Sequence, residues 1–210
     1  MNNRSGVKFG QLHITGDDNV PTSELVAAKY IHKLTAPREF HAARAINSRF
    51  GDDVAFTPIG FVRSSSDKVG YLSRFEQSVT TLDNILWDES STPNQREWAM
   101  GFAGLWLASL HNHGILHGDA QAKNIAYDSA SRLRYVDLEG AKEFGVGKLD
   151  PQTERLLDIA DLFNPKYMPD STPDEIAILA SAYTDHQDKG KYEVSDADIF
   201  DTISSVREEW

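Results

Sequence analysis

The sequence contains no cysteine. Disulfide cross-links, thiolate nucleophiles and cysteine-ligated zinc are all excluded on that ground. Long apolar runs are missing too. No window approaches the ~20 unbroken apolar residues that span a bilayer, and residues 1–10 lack the apolar stretch of a secretory signal. A cytoplasmic location is the expectation that follows. Positive charge is scarce, with 21 Lys and Arg against 32 Asp and Glu and a formal net charge of −11. Nucleic-acid phosphates and anionic lipid would be repelled by such a surface, so neither a nucleic-acid nor an anionic-membrane partner is expected, and the lack of apolar runs means that no membrane span is expected. The imbalance is steepest in residues 170–210, where eleven acids face three basic residues. That stretch reads as a solvated face, with a docking surface for a basic partner as the sharper alternative.

What remains is an ordinary globular composition. At 210 residues, with 40% hydrophobic and 25% charged, the chain is long enough for one substantial core or two small lobes. Periodicity divides it. The first third predicts strands over residues 7–15, 25–31, 56–63 and 69–75, with Gly16-Asp17-Asp18-Asn19 as a turn. One helix opens at Thr35 and Pro37 and carries Phe40, Ala43, Ile46 and Phe50 along one side. From about residue 80 the pattern is helical. Thr92-Pro93-Asn94-Gln95 has the form of a capping box with proline at the first helical position, and a long buried helix should run from it to about His111, with Trp98, Phe102, Leu105 and Ser109 at helical spacing. Further helices are predicted after Asp150-Pro151, at Pro173 and after Ser195. Two divisions are therefore expected, residues 1–78 with the strands and residues 79–210 mainly helical, joined near Glu76 to Thr81.

Two short stretches carry the chemical information. One is His117-Gly118-Asp119-Ala120-Gln121-Ala122-Lys123-Asn124, and the other is Tyr135-Val136-Asp137-Leu138-Glu139. Asp119 and Asn124 are five residues apart, and Asn124 and Asp137 thirteen. A predicted helix ends just before the first stretch and a short apolar run leads into the second. Together they resemble the catalytic loop (117–124) and metal-binding motif (137–139) of the protein-kinase-like superfamily, which includes protein kinases and the aminoglycoside- and choline-type small-molecule kinases. The resemblance covers roughly residues 20–165. It implies an α+β, two-lobed protein-kinase-like fold with a reduced strand-rich N-lobe and a helical C-lobe. It also implies an ATP-dependent phosphotransferase, with ATP and Mg²⁺ as cofactors and an unidentified hydroxyl-bearing acceptor, protein or small molecule.

The same resemblance assigns roles. Asp119 would take or orient the proton of the acceptor hydroxyl, and Asn124 and Asp137 would offer hard oxygens to Mg²⁺. His117 would hold the loop backbone. Asp158, within Leu156-Leu157-Asp158-Ile159-Ala160, resembles the helix aspartate that anchors this loop. Lys29, in Val26-Ala27-Ala28-Lys29, resembles the lysine that pairs the ATP phosphates, with Glu39 as its ion-pair partner and Lys33 in reserve. Otherwise Lys29 is a solvent-facing strand lysine, and Glu39 an acid complementing a helix N-terminus. Arg74, Phe75 and Glu76 fall where the superfamily's hinge meets adenine.

Departures from the pattern narrow the class. Gly6, Gly10 and Gly16 do not form the G-x-G-x-x-G turn that covers the phosphates in protein kinases. Gln121 stands where Ser/Thr protein kinases carry lysine, and Lys123 either supplies that charge instead or is an exposed loop lysine. Asp137-Leu138-Glu139 replaces Asp-Phe-Gly, leaving Glu139 as a second metal oxygen or a turn cap. Thr153 is the one hydroxyl side chain between Leu138 and Leu157, which argues against an activation loop switched by phosphorylation. Two other functions stay open at this level: a binding or regulatory module that kept the fold without turnover, and an enzyme transferring the nucleotide moiety. The acidic segment 170–210 would suit a cationic acceptor.

Overall fold

A computed structural model describes residues 7–15, 21–32, 36–51, 58–63, 68–74, 79–144, 149–168, 170–190 and 192–209. The chain mixes α-helix with small antiparallel sheets and divides into two compact units. The first comprises Met1–Val79 together with Arg134–Glu139, and the second Thr80–Leu133 with Gly140–Trp210.

In the first unit, β1 (Val7–Thr15), β2 (Pro21–His32), β3 (Pro58–Arg63) and β4 (Lys68–Arg74) form an antiparallel sheet in the order β1-β2-β4-β3. The second strand is longer than the apolar run over 25–31 suggested. Its polar start pairs residue for residue with β1, from Pro21 opposite Thr15 to Lys29 opposite Val7. Register decides which side chains share a face, because directly opposed residues project the same way. Lys29 lies opposite Tyr71, which in turn lies opposite Phe61. Helix α1 (Ala36–Phe50) packs on this row, where Phe40 meets Phe61 at 5.0 Å and Tyr71 at 6.5 Å between ring centroids. Its buried positions are Ala36, Glu39, Ala43, Ile46 and Asn47. Ala43 and Ile46 of the expected stripe are buried, but Phe40 and Phe50 are only partly so, and the inward stripe is rotated from the line of those two rings. The rotation puts Glu39 on the buried face.

The second unit is built on α3 (Pro93–Asn112), which follows the two-residue strand β5 (Thr80–Thr81) and the short helix α2 (Asp83–Leu86). The expected capping box is present: Thr92 Oγ1 accepts from the Gln95 amide, and the Gln95 side chain accepts from the Thr92 amide at 2.8 Å. The inward face of α3 runs through Ala99, Met100, Ala103, Trp106, Leu107 and Leu110, all essentially inaccessible. Trp98, first in the stripe expected from spacing, is instead 41% exposed and packs sideways on Phe102 and Tyr127. Against α3 lies α5 (Pro173–His186), which has a second capping box between Thr172 and Glu175. Strands β6 (Ile115–Leu116) and β7 (Ile125–Tyr127) bracket the 117–124 loop. After β8 (Leu133–Tyr135) the chain passes to Asp137, and β9 (Lys142–Glu143) returns to pair with β6. Helices α4 (Pro151–Ala160) and α6 (Asp196–Glu209) complete the unit. The helices expected after Asp150 and Ser195 start with caps, Asp150 Oδ1 accepting from the amides of Gln152 and Thr153, and Ser195 and Asp198 capping reciprocally. No helix among the described residues is long and apolar enough to cross a membrane.

One glycine sets the α3–α5 spacing. A Cβ on Gly104 would stand 2.5 Å from the Leu179 carbonyl oxygen and 2.9 Å from the Tyr183 nitrogen, both backbone atoms that cannot rotate away. Overpacking of this kind costs about 1–3 kcal/mol and outweighs the gain of up to ~1 kcal/mol that alanine brings to a helix interior. Gly104→Ala is therefore expected to lower the thermal midpoint by roughly 2–10 °C. Gly101→Ala, whose nearest new contact is a methyl at 4.0 Å, should leave it unchanged or raise it. Thermal unfolding followed by circular dichroism distinguishes the two.

Candidate functional site

Four ionisable groups meet in the first unit. Lys29 Nζ bonds Glu39 Oε2 at 3.2 Å, makes a close ion pair with Asp137 Oδ1 and lies 3.4 Å from Glu139 Oε2. The fold explains each contact. Lys29 faces α1 from its place opposite Tyr71, and Glu39 is on the buried face of that helix. Asp137 is delivered by the segment after β8, which Tyr135 anchors: its ring is buried and lies 5.4 Å from that of Phe50 on α1. Asp137 itself adopts a positive φ of 54°. Aspartate tolerates this left-handed conformation better than most residues, and its occurrence at a charged cluster marks a position fixed by its surroundings.

One cation among three carboxylates leaves a surplus of negative charge, and the effect on each group follows from burial. Desolvation pulls the Lys29 amine down, but Glu39, Asp137 and Glu139 outweigh it and hold the amine above its usual 10.5. Glu39 is the most buried acid. Burial pushes its carboxyl up to about 7, against the pull of Lys29 and with the help of Asp137 and Glu139. One carboxylate oxygen from each of Glu39, Asp137 and Glu139 lies within 4.8 Å of the others, a spacing and donor type that suit a hard divalent cation.

The second unit holds the other expected residues. Asp119 is half-buried and its carboxylate is held from two sides. Gln121 Nε2 donates to Oδ1 in a short contact, and Asn124 Nδ2 donates to Oδ2 at 2.9 Å and to the Asp119 carbonyl at 2.9 Å. The Asn124 amide nitrogen thus faces Asp119 and its oxygen turns away, the orientation a cation ligand needs. Lys123 is exposed and its ammonium lies 5.6 Å from the centre of the Tyr167 ring. His117 is buried, with its ring 5.2 Å from that of Trp106.

Asp158, on α4, lies beneath this loop. Its Oδ2 accepts from the His117 amide at 2.8 Å and its Oδ1 from the Gly118 amide at 2.7 Å. A third donor is His111 Nε2 at 3.0 Å, while His111 Nδ1 is 2.8 Å from the Tyr183 hydroxyl. Burial lowers the His111 pKa despite the adjacent carboxylate. The ring is therefore neutral, with its proton on Nε2 and Nδ1 accepting from Tyr183. The Asp158 carboxyl is held below its usual range by the hydrogen bonds it accepts, against the opposing effect of burial. Gly118, at φ 73°, touches Gly140: a Cβ there would stand 2.3 Å from the Gly140 carbonyl oxygen, so no side chain fits.

Several of these groups escape a linear reading. His111 and Tyr183 lie 72 residues apart, and the only local hint was a histidine ending an apolar helix. Asp161 is another. Burial, with Asp158 and Asp119 nearby, pushes its carboxyl up to about 6, yet three residues after Asp158 it looks like an ordinary helix-end acid. Of the expected adenine contacts, Arg74 ends β4, while Phe75 and Glu76 lie outside the described residues, as do Lys33, Gly6 and Gly16.

A scan of the chain against protein-family models gave no match, and a search of curated proteins gave none either.

Two outcomes are expected from this geometry. Asp158→Ala orphans three donors at roughly 1–3 kcal/mol each, a loss of about 3 kcal/mol or more, read as a lower urea midpoint and faster proteolysis at residues 117–124. The second concerns pH. Glu39 holds its proton to about 7 in the folded chain and releases it near 4.5 when unfolded, so between those values the folded state binds the extra proton. Its contribution to stability is complete below pH 4.5 and is lost as pH rises through 7. Glu39→Gln should flatten that part of the stability–pH curve, measured by denaturant titration from pH 4.5 to 7.5.

Proposed function

We propose that this chain is an ATP-dependent phosphotransferase of protein-kinase-like architecture, with a strand-rich lobe and a helical lobe. The observation that carries the reading is the pairing of Lys29 with both Glu39 and Asp137, residues 10 and 108 positions away in the chain. That pairing unites the lysine, its helix partner and the metal-motif aspartate that the resemblance assigned separately. The restrained Asp119 and the amide oxygen of Asn124 supply the remaining parts.

Phosphoryl transfer needs positioning and charge neutralisation more than covalent assistance. In this reading Lys29 exchanges Asp137 for the nucleotide phosphates, keeping Glu39 as the partner that orients it. Asp137 would offer a carboxylate oxygen and Asn124 an amide oxygen to Mg²⁺, which would neutralise the phosphate charge when bound. Asp119 accepts the proton of the acceptor hydroxyl as its oxygen bonds to the γ-phosphorus and the bond to the β-phosphate oxygen breaks, releasing ADP. The hydrogen bonds from Gln121 and Asn124 aim the carboxylate, and Asp158 fixes the backbone on which it stands.

Incubation with Mg²⁺ and γ-labelled ATP, in the presence of cell extract separated into protein and small-molecule fractions, tests this reading. Wild type should transfer label, and the labelled fraction identifies the acceptor class. Asp119→Asn should retain nucleotide affinity and lose about 10²–10⁴-fold in rate, the usual worth of a general base. Asp137→Asn should lose Mg²⁺-dependent nucleotide binding itself. Wild-type turnover by Asp119→Asn would sink the catalytic assignment, and nucleotide binding without any transfer would make the chain a binding module instead.

A further inference from the structure

One cleft of the second unit is not used by the catalytic reading. It has a volume of about 240 Å³ and opens between the turn after α2 and the segment before α5. Its walls include Trp87 and Tyr167, whose rings are nearly parallel, 16° apart in plane and 6.4 Å between centroids. Trp87 is 43% exposed and so presents part of its ring to the cleft. Beneath the rings, Leu86 and Met168 are buried and give an apolar floor. Around them stand the carboxylates of Asp88, Glu89 and Asp170, all exposed. The one cationic lining residue, Arg96, is already committed: its Nε bonds Glu175 at 2.7 Å and its Nη1 bonds the Leu86 carbonyl at 2.7 Å.

We infer that this cleft binds a small organic cation, an alkylammonium or guanidinium group. Three features of the site select that class. Aromatic faces carry negative potential and attract cations, most strongly when the ring is that of tryptophan. Tyr167 already shows the preference, since Lys123 and Lys166 of the chain itself place their ammonium groups 5.6 and 5.0 Å from its centroid. The three carboxylates, of which Asp88 also accepts from the amide and hydroxyl of Ser90 through Oδ1, add an attraction that an anion or a neutral molecule would not feel. The apolar floor favours a carbon-clad cation over a hydrated metal ion. The volume lies below the ~300–1,000 Å³ of pockets for drug-sized ligands, which fits a group of a few heavy atoms.

Lys123 belongs to the 117–124 loop and rests on the same Tyr167 ring that walls the cleft. A cation held there would therefore lie beside that loop. Its role as the anchor of an acceptor rests on the phosphotransferase reading, whereas the recognition chemistry does not.

Ligand-observed NMR on the full chain tests the inference. Tetramethylammonium is the probe, with tert-butanol as its neutral counterpart of the same shape and a capped lysine as the peptide-borne form of the charge. Tetramethylammonium should bind saturably and tert-butanol should not. Trp87→Leu and Tyr167→Leu should each weaken binding roughly tenfold. The triple variant Asp88→Asn, Glu89→Gln and Asp170→Asn, made only at exposed positions, should weaken it with the fold intact by circular dichroism. No saturable binding, equal binding of tert-butanol, or binding indifferent to these variants would overturn the inference, and tighter binding of capped lysine would overturn its assignment to a free small cation. Binding as expected without any label transfer from ATP to a small amino alcohol upholds the cleft and counts against the acceptor role alone.

Discussion

Asp158 is a carboxylate almost wholly withdrawn from water, and three N–H donors converge on it: the amides of His117 and Gly118 and the ring of His111. A buried charge is tolerable only when its lone pairs are satisfied in this way. The requirement works in both directions. The carboxylate keeps its charge because the donors are there, and two consecutive amides of the loop are fixed because the charge is there. His111 links the same oxygen to Tyr183 on α5, so α3, α4 and α5 all bear on the loop through one side chain. Asp119 follows directly after Gly118 and inherits that rigidity, and Gln121 and Asn124 then set its carboxylate from either side.

The first unit uses charge differently. There the acids outnumber the cation, and burial together with Asp137 and Glu139 pushes the Glu39 carboxyl up against the pull of Lys29. A second cation would relieve that surplus. Lys29 is meanwhile the hub whose partners come from α1 and from the segment after β8. The aromatic packing of Phe40, Phe61 and Tyr71 and the contact of Phe50 with Tyr135 position those segments. Packing thus decides which charges meet.

How much of this was legible in the sequence depended on whether the signal was local. Helix starts were, because Thr92, Asp150, Thr172 and Ser195 cap through bonds that span only two or three residues. The inward faces of α1 and α3 were less so. Phe40 and Trp98 look like core residues by hydrophobicity, but Phe40 is only partly buried and Trp98 is exposed, while Ala43, Ala99, Ala103 and Trp106 are buried. Spacing drew attention to Asp119, Asn124 and Asp137, and the resemblance they carry suggested the pairing of Lys29 with Glu39. The third and fourth members, Asp137 and Glu139 on Lys29, and the His111–Tyr183 link are products of tertiary packing that no window along the chain contains.

The central proposal is that the chain takes up ATP with Mg²⁺, Lys29, Asp137 and the 117–124 loop each contributing. Hydrogen–deuterium exchange of the wild-type chain with and without Mg²⁺ and ATP tests it most directly. The account predicts that the nucleotide slows exchange together in the segments around Lys29, Asp137 and residues 117–124, and that omitting Mg²⁺ removes most of the effect at Asp137. Exchange unchanged in all three segments, or slowed in only one of them, would contradict it.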